Sequence, residues 1–186
     1  MNALVKVQGK SLAELKSAQA VTEQRQYLTF MLGGEMFSIG ILAIKEIIEY
    51  NGLTEVPMMP ACIRGVINLR GAVVPVMDLS ARFNKPSTEV TKRTCIVIVE
   101  VTNEEQESQV MGVVVDAVNA VLEIPSTEIE PPPAFGARIR TDFIDGLAKV
   151  DGKFVILLDV NQVLSIDDLG ALAQAAASVE LPMPQS

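Results

Sequence analysis

The sequence predicts an all-β protein, and three observations favour this class. Short apolar runs, separated by turn signals about every 8–12 residues, indicate roughly ten strands. Residues 65–83 recur in degenerate form at residues 146–164. Residues 113–122 repeat the apolar positions of residues 39–48. These matches indicate a duplicated subdomain of about five strands, which favours a pair of small barrels over a single sandwich.

The longer match keeps identical residues at three landmarks, with one constant spacing between the copies. Most positions between these landmarks are apolar in both copies. The landmarks are a glycine at the start, a glycine in the turn and an aspartate at the end: Gly65 and Gly146, Gly71 and Gly152, Asp78 and Asp159.

Composition excludes several classes of protein. The 186 residues are 49% hydrophobic and 20% charged, which is ordinary for a globular protein, and no apolar run is long enough to cross a membrane. No secretory signal is visible at the N-terminus. A net charge of −8 disfavours nucleic acid, and the chain has no histidine. Cys62 and Cys95 have no metal-site spacing and are expected to be reduced thiols packed in a cytosolic core.

The first half begins with residues 1–25, a polar stretch that we expect to be a flexible leader. Apolar residues alternate over 26–32, which predicts a strand with one buried face, and Gly33-Gly34 predicts a hairpin turn. After the returning strand the period changes at Ile41, which indicates a short helical turn running into a strand near Lys45.

The repeated hairpin follows an extended segment held by Pro57 and Pro60. Its turn lies at Arg70-Gly71, and Pro75 predicts an edge or a bulge because it cannot donate a ladder hydrogen bond. A short helical turn should follow at residues 80–83. The loop that comes next is the expected boundary between the two halves.

The second half repeats this order. Apolar strands over 94–101 and 110–115 flank a polar tip, and Asp151-Gly152 forms a two-residue hairpin turn. The offset between the copies grows by seven residues, and we expect the proline loop at 131–136 to absorb the difference. Residues 166–186 are alanine-rich and predict a C-terminal helix followed by a frayed tail.

Three carboxylates near strand ends, Asp78, Asp116 and Asp159, could be read as catalytic pairs. Capping of the following turns is the favoured interpretation, since aspartate is preferred at such positions. The sequence also has no phosphate-binding glycine loop, metal-ligand cluster or nucleophile elbow. We therefore predict no catalytic residues, no metal and no cofactor.

Arg70 is an unusual residue for a two-residue hairpin turn, which favours Asn, Asp or Gly. Its equivalent in the second copy is Asp151, a residue that two-residue turns prefer because the backbone there adopts positive φ. Sites that break local rules are more often functional. An arginine on a rigid turn can contact a partner's carboxylate with two nitrogens. The competing interpretation is a solvated surface charge.

Several other positions are open to two interpretations. Pattern alone favours a solvated charge at Glu46 and core positions at Ile44, Val118 and Val121. If some of these apolar residues were exposed between the two halves, they would form a groove suited to a partner.

The chain resembles a known family in several segments. Residues 65–83 resemble the signature of the CheW-like coupling domain of bacterial chemotaxis. Residues 27–39, 45–47 and 112–118 resemble it too, as does the Pro57 and Pro60 pair. The resemblance covers about residues 26–165. Neither receiver nor kinase segments accompany it, so the chain is similar to the stand-alone members.

This resemblance implies two intertwined five-stranded, SH3-like barrels around a shared core, the first at about residues 26–90 and the second at about 91–165. It implies a non-catalytic adaptor that couples the cytoplasmic tip of methyl-accepting chemoreceptors to the regulatory domain of the histidine kinase CheA. The receptor-binding residues would be Ile44, Glu46, Gly65, Arg70, Val118 and Val121. The kinase-facing edge would comprise Tyr50, Leu53 and Val56. Ser80 stands where the family often has a basic residue, so no role is assigned to it.

The resemblance also implies a location and leaves alternatives. The protein would be cytoplasmic, recruited to membrane-associated receptor arrays without inserting in the membrane, and would meet other copies of the same domain there. One alternative is a paralogue serving another chemosensory array, such as one for surface motility. The other is a small-barrel nucleic-acid binder, which the net charge of −8 and an aromatic content of 4% disfavour.

Overall fold

The computed structural model describes residues 25–57, 62–83, 86, 89–102, 105–132 and 143–164. Residues 1–24 of the predicted leader and the predicted C-terminal helix and tail lie outside these residues, whereas Arg25, the last residue of the predicted leader, begins the first strand. Within them the chain forms strands, two short α-helices and two 3-10 turns, so the all-β class is confirmed. In chain order they are β1 (Arg25–Leu32), β2 (Glu35–Gly40), a 3-10 turn (Ile41–Ala43), β3 (Ile44–Glu49), β4 (Ile63–Leu69), β5 (Ala72–Asp78), α1 (Leu79–Arg82), β6 (Cys95–Thr102), β7 (Ser108–Val115), β8 (Ala117–Ile124), a 3-10 turn (Ser126–Glu128), β9 (Ile129–Glu130), β10 (Ile144–Val150), β11 (Lys153–Leu158) and α2 (Val160–Val163).

Two sheets exchange hairpins between the halves of the chain. The first sheet has the order β3-β6-β7-β5-β4, and the second has the order β8-β1-β2-β11-β10-β9. The β6–β7 hairpin therefore completes a sheet begun by the first half, and the β1–β2 hairpin joins strands of the second half. Each inserted hairpin makes one parallel pairing, β5 with β7 and β11 with β2. This exchange is the intertwining that the resemblance implied.

Each sheet closes into a barrel because the chain that leaves one edge strand pairs with a strand at or near the opposite edge. After β3 the chain turns back, so that Thr54 N–H donates to Val66 O at 2.9 Å and Val66 N–H donates to Thr54 O at 2.8 Å. In the second sheet β9 follows β8 and pairs with β10 in the same way. The second sheet has six strands rather than five because this closing segment is regular enough there to be a strand.

The repeated glycines lie where the closing segment crosses the hairpin. A Cβ on Gly65 would lie 2.3 Å from the carbonyl oxygen of Thr54, and one on Gly146 would lie 2.5 Å from Ile129 Cγ2. Real Cβ atoms do not approach so closely. Glycine is therefore required in both copies because only a residue without a side chain allows the two backbones to meet.

The closing pairs also correct the predicted position of an insertion. Thr54 pairs with Val66, and Glu130 pairs with Leu147, so Thr54 and Glu130 are equivalent and differ by 76 positions. The proline loop after Glu130 therefore absorbs only five of the seven extra residues. The other two extra residues lie before Glu130, in the stretch of chain that contains the 3-10 turn Ser126–Glu128.

The core has three parts. The largest cluster lies between the barrels and includes an aromatic series in which neighbouring ring centroids are 6.3, 5.6 and 6.1 Å apart: Phe30, Phe37, Phe83 and Phe143. Each sheet also encloses a smaller apolar cluster of its own. The largest cluster therefore joins the two barrels, which is the shared core that the resemblance implied.

The prediction that β1 buries only one face is wrong. Tyr27 and Thr29 are buried as well, because β1 lies between β8 and β2 and its second face covers the core of the second barrel. The Thr29 hydroxyl donates to Ala120 O at 2.9 Å and accepts from Ala120 N–H at 3.1 Å, which satisfies this buried polar group.

We expect Gly65→Ala to lower the free energy of unfolding by roughly 2 kcal/mol or more, because the added methyl group forces apart the backbones that close the first barrel. Denaturant unfolding measures the change. Gly40→Ala is the matched control: its backbone has φ −59°, and the added Cβ would be 4.0 Å from the Tyr27 ring. Equal losses for the two variants would contradict this account of Gly65.

Candidate functional site

The three carboxylates near strand ends organise backbone amides. Asp78 accepts from the N–H groups of Ser80 and Ala81 at the start of α1, and Asp159 accepts from those of Asn161 and Gln162 at the start of α2. Asp116 accepts from Gly33 N–H at 2.8 Å in the β1–β2 turn. The capping interpretation is therefore confirmed for Asp78 and Asp159.

The turn at Arg70 has the backbone that the sequence predicted. Arg70 has φ 52° and Gly71 has φ 90°, and the equivalent turn of the second copy has φ 52° at Asp151 and 80° at Gly152. The left-handed region costs an ordinary residue about 1–2 kcal/mol, a cost that aspartate reduces through local hydrogen bonding. Arg70 is therefore held in a conformation that its residue type disfavours.

Arg70 forms an ion pair with Glu46, and this pair spans the first sheet. Glu46 lies on edge strand β3, whereas Arg70 lies in the β4–β5 turn at the opposite edge. Arg70 Nη2 contacts Glu46 Oε2 closely, and Nη1 donates to Oε1 at 3.4 Å. The two groups can meet only because the sheet closes on itself.

The two members of the pair differ in exposure. The Glu46 side chain is 12% exposed, whereas that of Arg70 is 70% exposed. Glu46 is thus an anchored carboxylate and not the solvated charge that pattern alone favoured. The hydrogen bond between Arg70 and Glu46 raises the pKa of Arg70 above its usual value, and the negative charge of Glu46 raises it as well, by a smaller amount. An arginine has five N–H donors, so the guanidinium can contact Glu46 and still present donors to a partner.

The structure distributes the other predicted receptor-binding residues between core and surface. Ile44 is 0% exposed and Val121 is also buried in the shared core, so neither side chain is accessible. Val118 is partly exposed and packs against the same core. Gly65 is buried where the backbone of Thr54 crosses it. Arg70 and Val118 are the accessible members of the set, and Glu46 is accessible only to a small extent.

Two residues of the Arg70 hairpin were not singled out from the sequence. Asn68 Oδ1 accepts from Gly71 N–H at 2.9 Å, inside the turn. Val73 pairs with Asn68 across the hairpin and is 70% exposed. Residues 72–77 are all apolar, so no alternation in the sequence distinguishes the exposed Val73 from the buried residues of β5.

The predicted kinase-facing residues lie on the segment that closes the first barrel. Tyr50 and Leu53 are partly buried against that barrel's own core, and Val56 is half-buried. The guanidinium of Arg64 lies 5.7 Å from the centre of the Tyr50 ring and pairs with the buried Asp78 carboxylate at 3.3 Å. These contacts give the segment a fixed position beside β4.

Other features do not coincide with the predicted sites. A cleft of about 420 Å³ on the second barrel is lined by residues such as Tyr27, Leu42 and Asp145, but by none of the nine predicted partner-binding residues. Burial raises the pKa of the Cys95 thiol, which favours its weakly nucleophilic, protonated form. Among the described residues no cluster of three potential metal ligands occurs, and no helix is long and apolar enough to span a membrane.

Comparison with known proteins gives a consistent result. The CheW-like domain family matches residues 26–168. The chemotaxis protein CheW of Klebsiella aerogenes is 30% identical over 167 residues, covering 90% of this chain and 98% of the relative. The chemotaxis protein CheW of Bacillus subtilis is 34% identical, covering 82% and 90% respectively. Protein FrzA of Myxococcus xanthus is 31% identical, covering 85% and 96%.

A solved structure supports the same assignment. The crystal structure of the scaffolding protein TtCheW from Thermoanaerobacter tengcongensis matches with a TM-score of 0.68 and 34% sequence identity, covering 75% of this chain and 86% of that one. This chain therefore belongs to the CheW-like domain family.

Proposed function

We propose that this chain is a non-catalytic adaptor that couples methyl-accepting chemoreceptors to the histidine kinase CheA at receptor arrays in the cytoplasm. The observation that carries the proposal is the Arg70–Glu46 pair, a charged group fixed on a strained turn at the surface. The partner classes are those that the resemblance to CheW-like domains implies, and the family match over residues 26–168 supports that resemblance. Relatives named chemotaxis protein CheW and a scaffolding protein of the same fold support an adaptor role.

The receptor side is built around Arg70. Glu46 holds the guanidinium from within the barrel, so binding a partner requires less loss of side-chain freedom than an unanchored arginine would. Val73 in the same hairpin and the partly exposed Val118 add apolar surface. A partner that presents a carboxylate beside an apolar side chain would match this chemistry.

The kinase side is the edge formed by Tyr50, Leu53 and Val56. It lies close to the receptor side, because Leu53 and Thr54 pack directly over Gly65. One rigid barrel would then contact both partners. A receptor change of state can bias the kinase if the adaptor's contacts differ between the two states, and no chemical step is needed.

A second candidate is an adaptor for another chemosensory array. Protein FrzA is as similar to this chain, at 31% identity, as the relatives named CheW at 30% and 34%. Similarity alone therefore does not select the pathway. Binding assays against the receptors and kinases of each array in the host would separate the two candidates, since partner choice is the difference between them.

We expect Arg70→Ala to weaken binding of a receptor cytoplasmic fragment at least about tenfold, because an anchored interfacial arginine is the kind of residue that dominates binding energy. Calorimetry or pull-down with the purified fragment measures the effect. Asp151→Asn is the matched control, since it changes a charge at the equivalent turn of the second copy. Failure of the wild type to bind receptor fragments or CheA would reject the adaptor role, and unchanged affinity in Arg70→Ala would reject the role of Arg70.

The exchange variant Glu46→Arg with Arg70→Glu separates two explanations of that loss. It retains an ion pair across the sheet but presents a carboxylate to the partner. We expect receptor binding to remain lost, because the exposed charge has the wrong sign. Recovery of affinity in a variant shown by circular dichroism to be folded would mean that the pair acts only on the fold.

The kinase-facing edge is tested by Val56→Asp. A charge at this half-buried position should weaken binding of the CheA regulatory domain at least about tenfold and change receptor affinity less than about twofold. Parallel titrations with the two partners measure both. If receptor and kinase affinity fall together, the two surfaces are not separate.

A further inference from the structure

We propose that Asn68 is a positioning residue that holds Arg70 ready for its partner. The proposal rests on the function proposed above for Arg70. Asn68 lies near the end of β4, and its Oδ1 accepts a hydrogen bond from Gly71 N–H at 2.9 Å. That amide belongs to the peptide group immediately following Arg70, so the bond fixes the orientation of this peptide plane and with it ψ of Arg70.

The turn needs such support because of the residue that it carries. Arg70 has φ 52°, a region that an arginine enters at a cost. In an exposed turn, alternative conformations with negative φ at Arg70 would relieve that cost. The bond between Asn68 and Gly71 is made with Arg70 in the conformation seen here, and it is lost in conformations that turn the Arg70–Gly71 peptide plane away from Asn68, so it favours the observed conformation.

The second copy provides the internal comparison. Its turn has the same φ of 52°, but at Asp151, which tolerates it. The position equivalent to Asn68 is Lys149, whose side chain has only donors and cannot accept from Gly152 N–H. Among the described residues, the hydrogen bond from a side chain at this position to the turn amide thus occurs in the first copy, whose turn residue is arginine. It is absent from the second copy, whose turn residue is aspartate.

Arg70 is consequently held at both ends. Asn68 fixes its backbone from one side of the hairpin, and Glu46 fixes its guanidinium from the far edge of the sheet. The side chain between them is largely exposed. A long exposed side chain normally loses freedom when it binds, and constraint at both ends reduces that loss.

The test uses Asn68→Ala, Asn68→Asp and the matched control Lys149→Ala in the full chain, each with Arg70 present and in an Arg70→Ala background. The first measurement is the ¹⁵N heteronuclear NOE of the Arg70 backbone amide and Nε–H in the protein alone. The second is the affinity for a receptor cytoplasmic fragment. Circular dichroism verifies folding, and Asn68 is exposed, so its replacement leaves the core intact.

We expect Asn68→Ala to lower both NOE values and to weaken receptor binding about three- to tenfold, the loss typical of one hydrogen bond. In the Arg70→Ala background the same change should alter affinity less than about twofold, because a positioning residue acts only through the residue that it positions. Asn68→Asp keeps the acceptor oxygen and should retain the NOE values. Lys149→Ala should change nothing.

Two results would overturn the proposal. One is an unchanged NOE of Arg70 in Asn68→Ala, and the other is an equal loss of affinity with and without Arg70. Failure of the function proposed above has a different signature, since the wild type would then bind no receptor fragment. The NOE comparison, made without any partner, would still decide whether Asn68 orders Arg70.

Discussion

The backbone pairing between Thr54 and Val66 is the constraint on which the candidate site depends. It joins the chain leaving β3 to β4, which lies at the other edge of the first sheet, and so closes that sheet. Closure brings Glu46 within reach of Arg70, and it places the predicted kinase-facing segment directly over Gly65. A crossing this close leaves no room for a side chain, which is why a glycine begins the repeat in both copies.

The two copies share a framework and differ in what they present. Both have a closing segment, a glycine at the crossing, a left-handed turn and an aspartate cap. Only the first combines an arginine in the turn with a carboxylate on the facing strand, since Ala120 occupies the position equivalent to Glu46. The two copies are therefore similar scaffolds, and the arginine–carboxylate pair occurs on the first of them.

Local pattern accounts for much of the fold. Alternation and turn residues predicted the hairpins, and positive φ at Arg70 followed from its alignment with Asp151. The parallel pairing of β2 with β11 has no local signature, because it joins segments more than 100 residues apart. Residue type also could not show that Glu46 is anchored by Arg70, or that Tyr27 faces a second core, since both depend on the neighbours that closure and exchange create.

We propose that this protein joins receptor and kinase through contacts alone. The most direct measurement is co-sedimentation of the purified chain with receptor-containing membranes and CheA, with kinase activity in the pellet as the readout. We expect that adding the chain brings CheA into the pellet and places its activity under control of the receptor ligand. Recovery of the same amount of CheA, with the same activity, whether or not the chain is present would contradict it.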